Sequence, residues 1–92
     1  MNKEDNFTLE IKLDKESPEP LYIQLFEEIR QRIQQGSLQE DCKLPPIREL
    51  ARQLGVNNVT VVNSYKLLEE QNKVFKKVGS GTYVLPLERK LN

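Results

Sequence analysis

A mostly helical domain closed by a small β-hairpin is predicted, on three observations. Apolar residues recur every four positions from Leu21 to Ile33. A Leu-Gly-Val-Asn-Asn corner (54–58) separates two further helical patterns, and two strand-like runs flank Gly79-Ser80-Gly81. Periods of 3.6 and 2 residues are what buried helix and strand faces leave in a sequence. Ninety-two residues suit a single small domain, and a hydrophobic fraction of 37% is enough for a modest core.

The first element expected is a short half-buried strand or an extended arm over residues 7–14, where Phe7, Leu9, Ile11 and Leu13 alternate with polar residues. Residues 15–20, with two prolines and two glutamates, read as a linker. The first helix starts near Pro20, because proline suits the first helical position. Its stripe is Leu21, Leu25, Ile29 and Ile33, flanked by Tyr22 and Phe26, and Gly36 ends it in the left-handed conformation. Residues 37–44 read as a loop.

Pro45-Pro46 opens a second helix with Ile47, Leu50, Ala51 and Leu54 inward and Gly55 just past its end. Val56 plugs the corner, and Asn57 or Asn58 caps a third helix, since an asparagine oxygen accepts an orphan backbone N–H. Val61, Ser64, Tyr65 and Leu68 form that helix's inward face. Asn72 ends it, being the best non-glycine residue for a left-handed position. Residues 74–78 and 82–85 then make the hairpin, with Phe75 and Tyr83 expected to pack it onto the helices. Tyr22, Phe26 and Tyr65 are expected in the core. Two helices about a Gly-containing turn, preceded by one helix and followed by a hairpin, make a winged helix-turn-helix. The domain therefore spans 20–85, with an arm at 1–19 and a tail or linker at 86–92.

Composition narrows the chemistry. There is no histidine and a single cysteine, Cys42, so no intrachain disulfide and no metal site with His or paired-Cys ligands is expected. No nucleophile–base cluster stands out, so the chain is not expected to be an enzyme. No apolar run is long enough for a membrane span, the N-terminus is unlike a signal peptide, and a cytoplasmic location is expected. Net charge is zero, yet residues 1–42 carry five Lys/Arg against ten Asp/Glu while residues 43–83 carry seven against three. An acidic front and a basic back point to an anionic partner for the back.

The motifs Leu-Pro-Pro-Ile-Arg-Glu-Leu-Ala (44–51), Leu-Gly-Val (54–56), Thr60-Val61, Tyr65, Leu68-Glu69 and Gly-Ser-Gly-Thr-Tyr-Val (79–84) resemble the DNA-binding domain of GntR-family bacterial transcription regulators. Pro-Leu-Tyr-Ile-Gln-Leu (20–25) and Gly-Ser-Leu (36–38) fit as well, so the resemblance covers about residues 18–85. The segment from Thr60 to Glu69 is most similar to the MocR branch, in which a pyridoxal-phosphate-binding, aminotransferase-like domain follows. The Val56-Asn57 pair and the leading strand look equally like the YtrA branch, which has a short helical dimerisation tail. Neither effector domain fits within 92 residues, so an isolated domain without a cofactor of its own is expected.

The resemblance implies that Arg48, Asn57, Asn58 and Thr60 contact double-stranded DNA and that the glycine tip of the wing approaches the minor groove. It also implies a palindromic or repeated operator and a homodimer. The sequence departs from the family pattern at Asn58, where Arg is usual, at Val59, where Asn or Thr is usual, and at Pro46 and Asn72. The first two departures remove the usual guanine reader.

The chemistry of these residues agrees with a recognition helix at about 57–70. Its first turns would meet base edges in the major groove. Asn57 and Asn58 can pair adenine, and Val59 and Val62 can pack on thymine methyls, although Val62 also fits a core position. Half-sites containing A·T pairs are therefore expected over G·C-rich ones. Thr60, Asn63 and Lys66 would face backbone or groove, and Arg48 offers a guanidinium fork to phosphate or base. Lys43, Lys73, Lys76 and Lys77 supply counterion-releasing charge. Gly79, Ser80 and Gly81 suit a wing tip and not a phosphate loop, since no Gly-Lys-Ser/Thr end or helix follows. A winged helix serving protein docking, through the acidic first helix or edge pairing by the leading strand, is the alternative. Steep salt dependence of binding separates the two.

Overall fold

The computed structural model describes residues 9–86. Phe7 and the rest of the N-terminal end lie outside the described residues, as does the tail beyond Pro86. From residue 9 to 14 the chain runs as an arm without strand pairing among the described residues. Leu9 and Ile11 are buried and Leu13 is half-buried, so the period of two in the sequence reflects an alternating arm.

The first helix, α1 (Leu21–Gln35), follows Pro20, which occupies the N-cap with extended backbone. Leu25, Phe26, Ile29 and Ile33 are its buried stripe, and Gly36 closes it at φ 87°. Tyr22 does not join the core as expected: it keeps 36% of its surface. Its carbonyl accepts a hydrogen bond from Ser64 Oγ of the third helix.

The second helix, α2 (Ile47–Leu54), follows Pro46 and buries Leu50 and Ala51, with Ile47 and Leu54 packed at the margin. Gly55 has φ 68°, and the Val56 N–H returns to the Ala51 carbonyl at 3.0 Å. This left-handed stop allows the third helix, α3 (Asn58–Glu70), to begin within three residues. All four expected inward residues, Val61, Ser64, Tyr65 and Leu68, are buried. Asn72 ends the helix at φ 59°, as expected of it. The Asn72 N–H reaches the Glu69 carbonyl and the Lys73 N–H reaches that of Leu68, so the last carbonyls are satisfied.

Strands β1 (Val74–Lys77) and β2 (Gly81–Val84) pair antiparallel, with Val74 opposite Val84 and Phe75 opposite Tyr83. The expectation that Phe75 and Tyr83 seat the hairpin on the helices is corrected. Val74 and Val84, 1% and 0% exposed, do that, because cross-strand partners share one face. Phe75 and Tyr83 stack on each other on the opposite face, with centroids 5.6 Å apart.

The expected loop at 37–44 also differs. Residues 41–44 lie along β2: the Asp41 and Leu44 N–H groups donate to the Val84 and Thr82 carbonyls, and the Val84 N–H donates to that of Cys42. A bridge joins Lys43 to Tyr83. This edge ties the wing to the segment entering α2. The core runs through Leu25, Ile29, Leu44, Leu50, Val61, Leu68, Val74 and Val84, each 2% exposed or less. Full burial of such a side chain contributes roughly 1.5–3 kcal/mol. Among the described residues no helix is long and apolar enough to cross a membrane.

Candidate nucleic-acid interface

The outer face of α3 is built by elimination. With Val61, Ser64, Tyr65 and Leu68 turned inward, Val59, Asn63, Lys66 and Glu70 fall on the opposite side and are exposed. Val59 keeps 59% of its surface, far more than a packing role needs. Val62 is half-buried at the flank and outside the buried core, and Thr60 is half-buried on the other flank.

Two contacts aim this helix. Ser64 Oγ lies 2.7 Å from the Tyr22 carbonyl of α1 and 3.1 Å from the Thr60 carbonyl of its own helix. Its single proton makes the shorter contact the link between helices. The Tyr65 hydroxyl donates to the Pro45 carbonyl at 2.7 Å, and burial raises that phenol above its ordinary pKa. The helix is thus fixed to α1 on one side and to the start of α2 on the other.

The two asparagines divide their work. Asn57 is the N-cap: its Oδ1 accepts the Val59 N–H at 3.0 Å. That oxygen is engaged in the cap, which leaves its second lone pair and the amide NH2 for any base contact by Asn57. Asn58 is exposed and its side chain makes no hydrogen bond among the described residues. Asn58 shares an open concavity with Pro46, Arg48, Arg52 and Val56. Arg48 is exposed and forms no ion pair among the described residues; Glu49 pairs with Arg52 instead, at 2.5 Å. Arg52 is a neighbour that the sequence reading missed. Its spacing of four from Arg48 on one helix was the available signal.

A second groove, of about 450 Å³, lies between the wing and the start of α2. Lys43, Lys76 and Lys77 rim it, with Gly79, Ser80 and Gly81 along the wing side. The tip is a four-residue turn closed by the Ser80 N–H on the Lys77 carbonyl, and Gly79, at φ 81°, supplies the left-handed third position. Gly81 is not at the tip but opens β2, where a Cβ would come 2.8 Å from Lys43 Cε. Tyr83 organises the wing's outer face. Its hydroxyl is hydrogen-bonded to Ser80 Oγ, and Lys77 Nζ stands 5.6 Å from its ring centroid. Asn63 and Lys66 are not gathered with Arg48 and Asn58. They line a separate shallow groove beside Tyr22. Cys42, in the segment read as a loop, is half-buried against the core, and burial raises its thiol pKa.

A capped helix with an exposed outer face, a neighbouring arginine that forms no ion pair among the described residues and a lysine-rimmed hairpin define a winged helix-turn-helix of the DNA-binding class. Residues 21–84 match the family described as "Bacterial regulatory proteins, gntR family", and the chain belongs to that family. It is 39% identical over 75 residues to the probable rhizopine catabolism regulatory protein MocR of Rhizobium meliloti. That match takes in 82% of this chain but only 15% of the relative's length. Among solved structures, YtrA from Sulfolobus acidocaldarius, a GntR-family transcription factor, superposes with a TM-score of 0.75 at 40% identity. The superposition covers 86% of this chain and 82% of that one. The AraR DNA-binding domain in complex with its operator ORE1 gives a TM-score of 0.69 at 36% identity, covering 78% and 88%.

Proposed function

We propose that this domain is the sequence-reading module of a bacterial transcription regulator, with the first turns of α3 in the major groove and the wing at the minor groove. The observation that carries this reading is the convergence of Arg48 and Asn58 on one open concavity, both exposed and neither engaged by another side chain among the described residues. The operator complex formed by the AraR domain supports it, since that domain shares this fold at 36% identity.

In this reading Asn58 presents its amide to adenine, and Val59 packs on a neighbouring thymine methyl. Thr60, Val62, Asn63 and Lys66 border the groove. Arg48 and Arg52 grip the backbone flanking the read bases, and Asn57 holds the helix start. Lys43, Lys76, Lys77 and the tip at Gly79 and Ser80, with Gly81 at the start of β2, follow the adjacent phosphates. Two copies, on a palindromic or repeated operator in the cytoplasm, complete the reader. Any pyridoxal phosphate or other effector would bind a separate domain of such a regulator.

Selection of duplexes from a random pool, followed by titration at two salt concentrations, tests this. The expected result is a consensus with A·T pairs at the read positions and an affinity that falls steeply with salt. A consensus led by G·C pairs contradicts the role of Asn58. No duplex binding, even by an artificially dimerised chain, contradicts the DNA-reading function.

A further inference from the structure

The arm before α1 ends on the helix-turn-helix corner. Lys15 Nζ donates to the Gly55 carbonyl at 2.9 Å, across forty positions of sequence. The segment that carries Lys15 is held firmly. The Gln24 side chain of α1 clamps the preceding residue on both backbone groups: the Asp14 N–H donates to Gln24 Oε1 at 2.8 Å, and Gln24 Nε2 donates to the Asp14 carbonyl at 3.0 Å. Gln24 Nε2 also reaches the Glu19 carbonyl at 2.8 Å, and Asp14 Oδ1 accepts the Glu16 N–H at 3.0 Å. Further back, Arg32 of α1 donates to the Glu10 carbonyl at 2.8 Å, between buried Leu9 and Ile11.

An exposed lysine contact alone is worth little, because a free four-carbon stem loses entropy when it is held. Here the backbone beneath that stem is fixed on both sides, which lowers the cost. The acceptor is also favourable: the carbonyl follows the C-terminus of α2, where the helix dipole attracts a cation. Gly55 is the left-handed residue on which the chain turns toward Asn57 and Asn58.

We infer that Lys15 is a positioning residue for DNA reading: the arm forms a strut from α1 to the α2–α3 corner that fixes the angle at which α3 is presented. The inference rests on the DNA-reading function proposed above. Lys15 acts through the corner and holds no phosphate itself.

The test compares the full 92-residue chain with Lys15→Met and Lys15→Arg variants. In the free proteins, amide hydrogen exchange at Val56 and Val59 is expected to quicken roughly threefold to tenfold in Lys15→Met, the equivalent of one net hydrogen bond. Exchange at Ile29 and Ile33 in α1 stays unchanged, and Lys15→Arg restores the slow rates. On duplexes recovered by the wild-type chain, Lys15→Met binds about threefold to tenfold more weakly with the same dependence on salt.

Unchanged exchange at the corner would overturn the strut. So would an affinity loss accompanied by a salt slope shallower by about 0.9, because that is the signature of a lost phosphate contact. The exchange measurement needs no DNA. Failure of the wild-type chain to bind any duplex would therefore overturn the proposed function, while the corner amides still decide whether the strut exists.

Discussion

The Tyr65 hydroxyl and the Pro45 carbonyl meet at 2.7 Å in a buried hydrogen bond that joins the recognition helix to the segment entering α2. Tyr65→Phe leaves that carbonyl without its partner, and an unsatisfied buried acceptor costs about 1–3 kcal/mol. Urea denaturation of both chains is the check. Equal stabilities would show that this bond is not what fixes the two helices together.

The same phenol gives a pH dependence of known sign. Burial raises its pKa in the folded state above the ordinary value of 10.0. The folded chain therefore holds this proton where the unfolded chain releases it. Its contribution is complete below about pH 10 and declines as pH rises beyond that. The wild-type chain should lose more stability than Tyr65→Phe between pH 9 and 11, by roughly up to 1.4 kcal/mol per pH unit above the unfolded pKa.

The adjacent asparagines should separate stability from binding. Asn57→Ala removes the cap of α3 and is expected to cost about 0.5–2 kcal/mol in a denaturation curve. Asn58→Ala touches no hydrogen bond of the described fold, and its stability change should stay within about 0.5 kcal/mol. Its duplex affinity should nonetheless fall at least fivefold, toward the lower end of one bidentate base contact at about 1–3 kcal/mol. The reverse pattern would exchange the roles of the two residues.

Charge at the wing is testable through salt. Lys76→Gln with Lys77→Gln should flatten the dependence of log affinity on log salt by about 0.9 for each phosphate no longer neutralised. A slope unchanged in the double variant would remove the wing lysines from the interface.

Much of this arrangement was legible in the chain because it is local. The inward face of α3 follows from the spacing of Val61, Ser64, Tyr65 and Leu68, and the left-handed stops follow from Gly36, Gly55 and Asn72. Features decided by distant partners were not. Residues 41–44 give too short an alternation to reveal a strand partner, and their ladder on β2 exists only once the wing has folded back. Tyr22 flanks a correct apolar stripe, but which flank α3 covers is settled by packing and not by period. The Lys15 contact with Gly55 has no local signal at all, since its two ends are forty residues apart.

Within the candidate site, Arg48 and Asn58 were picked out by the family resemblance, whereas the capping role of Asn57 was one of two choices that only geometry resolves. Arg52 could have been read from its spacing, four residues after Arg48 on one helix face.

The most direct measurement is duplex binding by the wild-type chain and Arg48→Ala at two salt concentrations, on sequences recovered by the wild type. Arg48 is exposed and outside every ion pair of the described residues, so folding stability should not change. Affinity should fall about tenfold or more, near 1.4 kcal/mol, the scale of one good contact. An Arg48→Ala chain that binds as tightly as the wild type would contradict the assignment of this face as the DNA reader.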